Sequence, residues 1–496
     1  MSNTNTLPVA VIGAGPVGLA AAAHLIERGE TPIIFERGDH VGANMRDWAH
    51  VRMFSPWEFT VDAASARLLT AHGWQHPPLS GLPTGGEMFS QYLQPLAELP
   101  EIAPHLHLGA RVVAITRRGT DKMKDAGRES APFSLHIEYS DGREAWLEAR
   151  AVIDATGTWQ TPNPIGSGGL PAVGEKRHSD HILYGIPSAA RDRARFANQR
   201  VMVVGSGHSA INALLELAKL HADAPATRIY WAMRGSNMTR VYGGGDDDAL
   251  PARARLGQTT RDLVDSGVVT LLSPFRISDI SPAADGLSVT GETSDGLQSV
   301  RVDEIVAATG ARPDLDMLRE LRLDIDSSLE STRALAPMID PNIHSCGTVR
   351  PHGEAELRHP EKDFYIVGMK SYGRAPTFLL ATGYEQVRSV VAGLVGDWQS
   401  ARDVQLNLPE TGVCSSNLGG DGGACCGTTN SQPALLSLAD IPLNNGLRRP
   451  VLLQANGGLL QPVALQTATR ECGCDDSCCG DGVKSTTCGC DTTCCS

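Results

Sequence analysis

Apolar residues over the first 36 positions fall into three blocks: a strand-like run at 9–12, an Ala- and Leu-rich stretch from 16 to about 28, and a second strand-like run at 32–36. Short uninterrupted apolar runs predict strands buried on both faces of a parallel sheet, and the longer stretch predicts the crossover helix such a sheet requires. The same order recurs at 201–204, 208–220 and 228–232. Two further buried strands opening into glycine are read at 151–157 (AVIDATG) and 305–310 (IVAATG), and a last at 364–367 ahead of a helix over 378–394. Segments 111–117, 133–139, 275–280 and 287–290 predict hairpin strands. Beyond Trp398 the periodicity is lost: 411–434 has the Gly, Ser, Thr and Cys content of a linker, and 435–469 predicts at most a short hairpin or two.

Composition narrows the class. With 41% hydrophobic and 20% charged residues the chain is an ordinary globular protein, and 496 residues at about 150 per domain predict roughly three domains. A net charge of −13 without a long basic run excludes a nucleic-acid or anionic-membrane footprint. Residues 7–26 approach the ~20 apolar residues of a membrane span, but their Gly content, Pro16 and His24, and the lack of a preceding basic residue, predict a buried strand, turn and helix instead. The absence of an export signal predicts a cytoplasmic protein, a compartment in which clustered thiols bind metals or do redox chemistry rather than form structural disulfides. The 12 cysteines are placed unevenly: none precedes Cys346, and the other 11 run from Cys414 to the C-terminus.

The turns carry the chemistry. In GAGPVG at 13–18, Gly13 permits the tight turn, Gly15 lets a pyrophosphate approach the backbone, and Gly18 lets helix and strand pack closely. The helix N-terminus attracts the phosphate charge, and Glu36, at the end of the next strand, can accept hydrogen bonds from an adenosine ribose. GSGHSA at 205–210 repeats the design, but the following strand leads to Arg234, with Arg240 nearby, which suits the 2′-phosphate of NADP better than the free ribose of NAD.

These motifs resemble, over residues 7–398, the two-dinucleotide-binding-domain flavoproteins: flavin-containing, N-hydroxylating and Baeyer–Villiger monooxygenases and thioredoxin-reductase-like enzymes. The resemblance implies an α/β fold with two Rossmann-like domains. An FAD domain is split between 1–165 and 305–400, an NADPH domain is inserted at 166–304, and a Cys-rich, largely irregular tail occupies 401–496. It implies that Gly13, Gly15, Pro16, Gly18, Glu36, Gly42, Trp48, Thr156, Gly157, Gly368 and Met369 hold FAD, and that Gly205, Ser206, Gly207, Ser209 and Arg234 hold NADPH. Thr156-Gly157 and Thr309-Gly310 would link the two domains. GANMRDW at 42–48 is similar to the Gly-Gly-x-Trp stretch of monooxygenases with its second Gly changed, and 83–93 is similar to the helix that follows it. The Phe-x-Gly-x-x-x-His signature is half present, with Gly174 and His178 matching but Ala172 and Ile182 at its aromatic positions; Met369 replaces the Asp common in disulfide reductases.

A disulfide reductase needs a dithiol against its flavin, and the body offers only Cys346, read as a packing residue. The expected acceptor is therefore molecular oxygen, giving a flavin hydroperoxide that oxygenates a soft nucleophile, a small molecule or metalloid; His178 and His208 are expected only to position. The final 26 residues repeat Cys-x-Cys-x-x-x-Cys-Cys at an offset of 16, giving Cys472, Cys474, Cys478 and Cys479, then Cys488, Cys490, Cys494 and Cys495. Each group can wrap one soft ion, and Cys414, Cys425 and Cys426 form a third cluster. The GVCS and ACCG segments together with the body resemble the arsenic-resistance flavin monooxygenases, which implies oxidation of trivalent arsenicals after capture by the tail. Two alternatives stand beside it: a mercuric-reductase-like enzyme, and a metallothionein-like buffer attached to an unrelated amine or sulfide monooxygenase.

Overall fold

The computed structural model describes residues 7–242, 251–344, 349–404 and 406. Sixteen strands are present among them: β1 (Val9–Ile12), β2 (Pro32–Phe35), β3 (Leu106–His107), β4 (Ala110–Arg117), β5 (Phe133–Tyr139), β6 (Glu144–Ala149), β7 (Ala151–Asp154), β8 (Ile182–Tyr184), β9 (Arg200–Val204), β10 (Arg228–Ala232), β11 (Val269–Leu272), β12 (Arg276–Ala283), β13 (Gly286–Thr293), β14 (Gly296–Val302), β15 (Glu304–Ala307) and β16 (Phe364–Ile366).

Two five-stranded parallel sheets dominate, in the orders β16-β7-β1-β2-β3 and β11-β10-β9-β15-β8. Each is buried on both faces, which is why its strands read as continuous apolar runs. Along β1, Val9 and Val11 enter one core while Ala10 and Ile12 enter the other; along β9, Val201 and Val203 alternate in the same way with Met202 and Val204. Helix Pro16–Glu27 starts with proline in its first turn, is built largely from Ala and Leu, and stops where Gly29 at φ +75° donates back to the Ile26 carbonyl. Residues 7–26 thus fold as strand, turn and helix, and among the described residues no helix is long and apolar enough to cross a membrane.

The expected hairpins are each one strand larger, forming antiparallel sheets β4-β5-β6 and β12-β13-β14. A second difference concerns 305–307, assigned from sequence to the returning half of the first domain. This segment is β15, paired with β9 and β8 inside the second sheet, and the chain rejoins the first sheet only at β16. Both sheets lie in one compact unit.

Candidate functional site

In each parallel sheet the glycine-rich turn leaves the strand flanked on both sides, β1 between β7 and β2 and β9 between β15 and β10, where open α/β sheets bind ligands. The three glycines of the first turn do different work. Gly13 has φ +96°, and a side chain there would lie 2.9 Å from the Ala155 carbonyl oxygen; a Cβ on Gly18 would lie 1.9 Å from the Gly13 carbonyl oxygen. A Cβ on Gly15 would meet nothing within 4 Å, so its surroundings are open to a ligand. Gly15 caps the helix without a side-chain acceptor, leaving first-turn amides available to an anion.

Glu36 is buried at the end of β2, where its carboxylate accepts from the Ala14 amide and the Gly38 amide, both at 2.9 Å. Gly42, at φ +60°, donates its amide to the Ala14 carbonyl at 2.9 Å and fixes the following short helix Ala43–Asp47 beside the turn. Trp48 fills the space a side chain on Gly85 would need, 2.6 Å from its ring. Beside Glu36 a cavity of about 560 Å³ opens, lined by Arg37, Asn44, Arg111, Tyr139 and Gln160.

The far wall of the turn comes from the ends of β7 and β16. Thr156 donates its amide (3.1 Å) and Oγ1 (2.8 Å) to Asp154 Oδ1, and Gly157 turns the chain at φ +70°. Gly368 at φ +68° packs on Val17 in the first turn of the helix, and Met369 follows, partly exposed. Between these walls lies a buried charge that sequence reading missed: Lys370 Nζ donates to Asp154 Oδ2 at 2.7 Å and to Thr156 Oγ1 at 3.1 Å.

The second turn repeats the geometry. Gly205 has φ +131°, a Cβ there would lie 2.2 Å from the Ala308 carbonyl oxygen, and a Cβ on Gly207 would meet nothing within 4 Å. Fully buried Ala210 stands where a third glycine would, and Trp231 Nε1 braces the turn by donating to the Gly205 carbonyl at 2.8 Å. Ser206 is exposed and Ser209 half-buried on the same turn. Arg234 is exposed just past β10 and donates Nη1 to the Ser167 carbonyl at 3.2 Å; nothing is described for the side chain of Arg240. The two crossovers touch where the Asn163 amide donates to the Gly310 carbonyl at 2.9 Å and Thr309 Oγ1 donates to the Asn163 carbonyl.

A strap joins the two turns. From Gly42, held on the first turn, the chain runs to Asp47, whose Oδ2 accepts from Trp159 Nε1 at 2.8 Å and whose carbonyl accepts from Arg191 at 3.2 Å. His50 Nε2 lies 2.9 Å from the Pro187 carbonyl oxygen, and the Phe54 ring lies 4.9 Å from that of His208, the first helical residue after the second turn. His178 lies elsewhere, on a cavity of about 420 Å³ that shares no lining residue with the one beside Glu36. Gly174 is wedged there at φ +83°, where a Cβ would lie 2.0 Å from the Ile280 carbonyl oxygen, so this glycine serves packing. Cys346 and all the tail cysteines proposed as ligands, Cys414 to Cys495, lie outside the described residues; among the described residues no group of three His, Cys, Asp or Glu could hold a metal.

A family model described as pyridine nucleotide-disulphide oxidoreductase matches residues 10–347. Among curated relatives, flavin-containing monooxygenase 1 of Homo sapiens is 23% identical over 280 residues, 55% of this chain and 48% of the relative. Indole-3-pyruvate monooxygenase YUCCA1 of Oryza sativa is 28% identical over 218 residues, 44% of this chain and 46% of the relative. The chain thus spans about half the length of these relatives. Among solved structures, the bacillithiol disulfide reductase Bdr of Bacillus cereus has a TM-score of 0.59 at 18% identity, covering 79% of this chain and 99% of that one. Ornithine hydroxylase PvdA of Pseudomonas aeruginosa has a TM-score of 0.54 at 15% identity, covering 80% and 100%. These structures share the fold.

Proposed function

The chain belongs to the pyridine nucleotide-disulphide oxidoreductase family, and from that premise we propose that it is an NADPH-dependent FAD monooxygenase acting on a soft nucleophile, foremost a trivalent arsenical. The observation that carries the cofactor reading is the pair of open glycines, Gly15 and Gly207, each capping a helix without a side-chain acceptor. FAD would be held at the first turn by Gly15, Glu36, Thr156 and Met369. NADPH would be held at the second by Gly207 and Ser209, with Arg234 exposed where it can pair with a 2′-phosphate. When bound, FAD takes two electrons from NADPH and passes them to an acceptor.

Oxygen is the acceptor this sequence favours. The shared fold serves both disulfide reductases and hydroxylases, so the thiols decide: the only cysteine ahead of Cys414 is Cys346, and no pair is available in the body. In the proposed reaction one oxygen atom joins the arsenic, the other leaves as water, and NADPH supplies the electrons with a proton. The chain orients the two cofactors, keeps water from the meeting point through the strap, and brings the thiophilic substrate to it with the tail thiols. Oxygen uptake and NADPH oxidation, with and without arsenite or methylarsenite, test this: both rise together if the proposal holds, and no stimulation by either arsenical overturns it. The vicinal pairs Cys478-Cys479 and Cys494-Cys495 favour a second reading, a metal reductase, whose signature is mercury-dependent NADPH oxidation without oxygen uptake.

A further inference from the structure

Lys370 is 2% exposed and forms no part of either dinucleotide turn, yet its ammonium bonds to Asp154 and Thr156. The partners are 216 residues apart in the chain and meet only because β7 and β16 are neighbours. An ion pair is a demanding way to fill a core, since aliphatic side chains of similar volume stabilise a buried site as well or better.

Position gives the pair a purpose. The side-chain-free face of Gly13 rests on the backbone of Ala155 and Thr156, at 2.9 and 3.1 Å from the place of its missing Cβ. On the other side a Cβ on Gly368 would lie 3.3 Å from Val17, and the Gly368 amide donates to buried Gln386 Oε1 at 2.8 Å. One ammonium therefore ties together two strand ends that each form a wall of the first turn. We infer that Lys370 and Asp154 form a charged latch that sets the spacing of the Thr156 and Met369 walls around FAD, making both positioning residues for the flavin. This rests on the reading of the first turn as the FAD site. Because the two charges cancel, removing one leaves the other unpaired beside Thr156.

The test uses the full chain, stripped of FAD and reconstituted, as wild type, Asp154→Asn, Lys370→Met and the double variant. FAD affinity by flavin fluorescence, the two-electron midpoint potential and thermal unfolding without FAD are read for each. The double variant keeps a neutral pair of similar shape, so its FAD-free unfolding midpoint stays near wild type while its FAD affinity falls about tenfold. Asp154→Asn raises the potential, because an unpaired ammonium favours the negative charge of reduced flavin, and Lys370→Met lowers it. Wild-type FAD affinity in the double variant, or potentials that do not move in opposite directions, overturn the latch. Should Lys370→Met fail to fold, the double variant's affinity and a raised potential in Asp154→Asn carry the test, and their absence overturns it. A wild-type protein that does not bind FAD removes the reading of the turn, and the latch with it; binding by wild type with unchanged variants removes the latch alone.

Discussion

A single methyl group should separate structure from binding within the first turn. Gly18→Ala would drive a Cβ to 1.9 Å from the Gly13 carbonyl oxygen, and overpacking of this kind costs about 1–3 kcal/mol, so its thermal midpoint falls even without cofactor. Gly15→Ala meets nothing within 4 Å, so it leaves the FAD-free midpoint unchanged and weakens FAD binding, an outcome titration calorimetry reads directly. A separate residue controls an acid response. Burial lowers His359 from its usual 6.5 to about 4. Between those values the unfolded chain binds the extra proton, so this contribution is full above pH 6.5 and is lost as pH falls toward 4, at up to about 1.4 kcal/mol per pH unit. His359→Asn, which can keep an acceptor for the Asp324 amide now bonded to Nδ1, should flatten the dependence of stability on pH in that window. The glycines and Glu36 were legible because their constraint is local: the turn, helix and second strand follow one another. Lys370 was not, since its partner is set by strand order and a lysine in isolation reads as solvent-exposed.

At the scale of elements, the strap is the part that geometry reveals and composition hides. Residues 42–54 bond to the first turn at one end and set the Phe54 ring, tilted, against that of His208 at the other. Phe54→Ala should therefore leave FAD affinity intact and slow flavin reduction by NADPH, by as much as about a hundredfold if the cofactors shift by 1 Å; stopped-flow absorbance of the flavin measures it. Arg234→Ala should raise KM for NADPH roughly tenfold while leaving that for NADH unchanged, since only the phosphate loses a charge-assisted partner. The central strands were readable as apolar runs because both faces are covered. Strands β6 and β14 were not, because most of their positions are exposed or half-exposed and give no alternating signal. Strands β3 and β8 are too short to carry a period.

Over the whole molecule, Arg28 at the end of the first helix pairs with Asp397 near the last described residues at 2.9 Å. Hydrogen bonds from Ser400 and Arg28 lower the Asp397 carboxyl from its usual 3.8 to about 2. That contribution is full above pH 3.8 and is lost as pH falls toward 2, so acid unfolding followed by circular dichroism should be shallower over this range in Asp397→Asn. Deleting residues 410–496 should leave FAD and NADPH binding unchanged and raise the apparent KM for the arsenical; an unchanged KM would falsify a capturing tail.

The split of the first sheet also has a consequence on the ribosome. By residue 154 the nascent chain has made β1, β2, β3 and β7, but β16, which covers the free edge of β7, follows the whole second sheet. Throughout that interval Ala151–Asp154, fully apolar in its first three residues, offers unpaired amides and carbonyls to any passing strand. Chains ending before Phe364 should accordingly collect in the insoluble fraction even though both glycine turns are already complete.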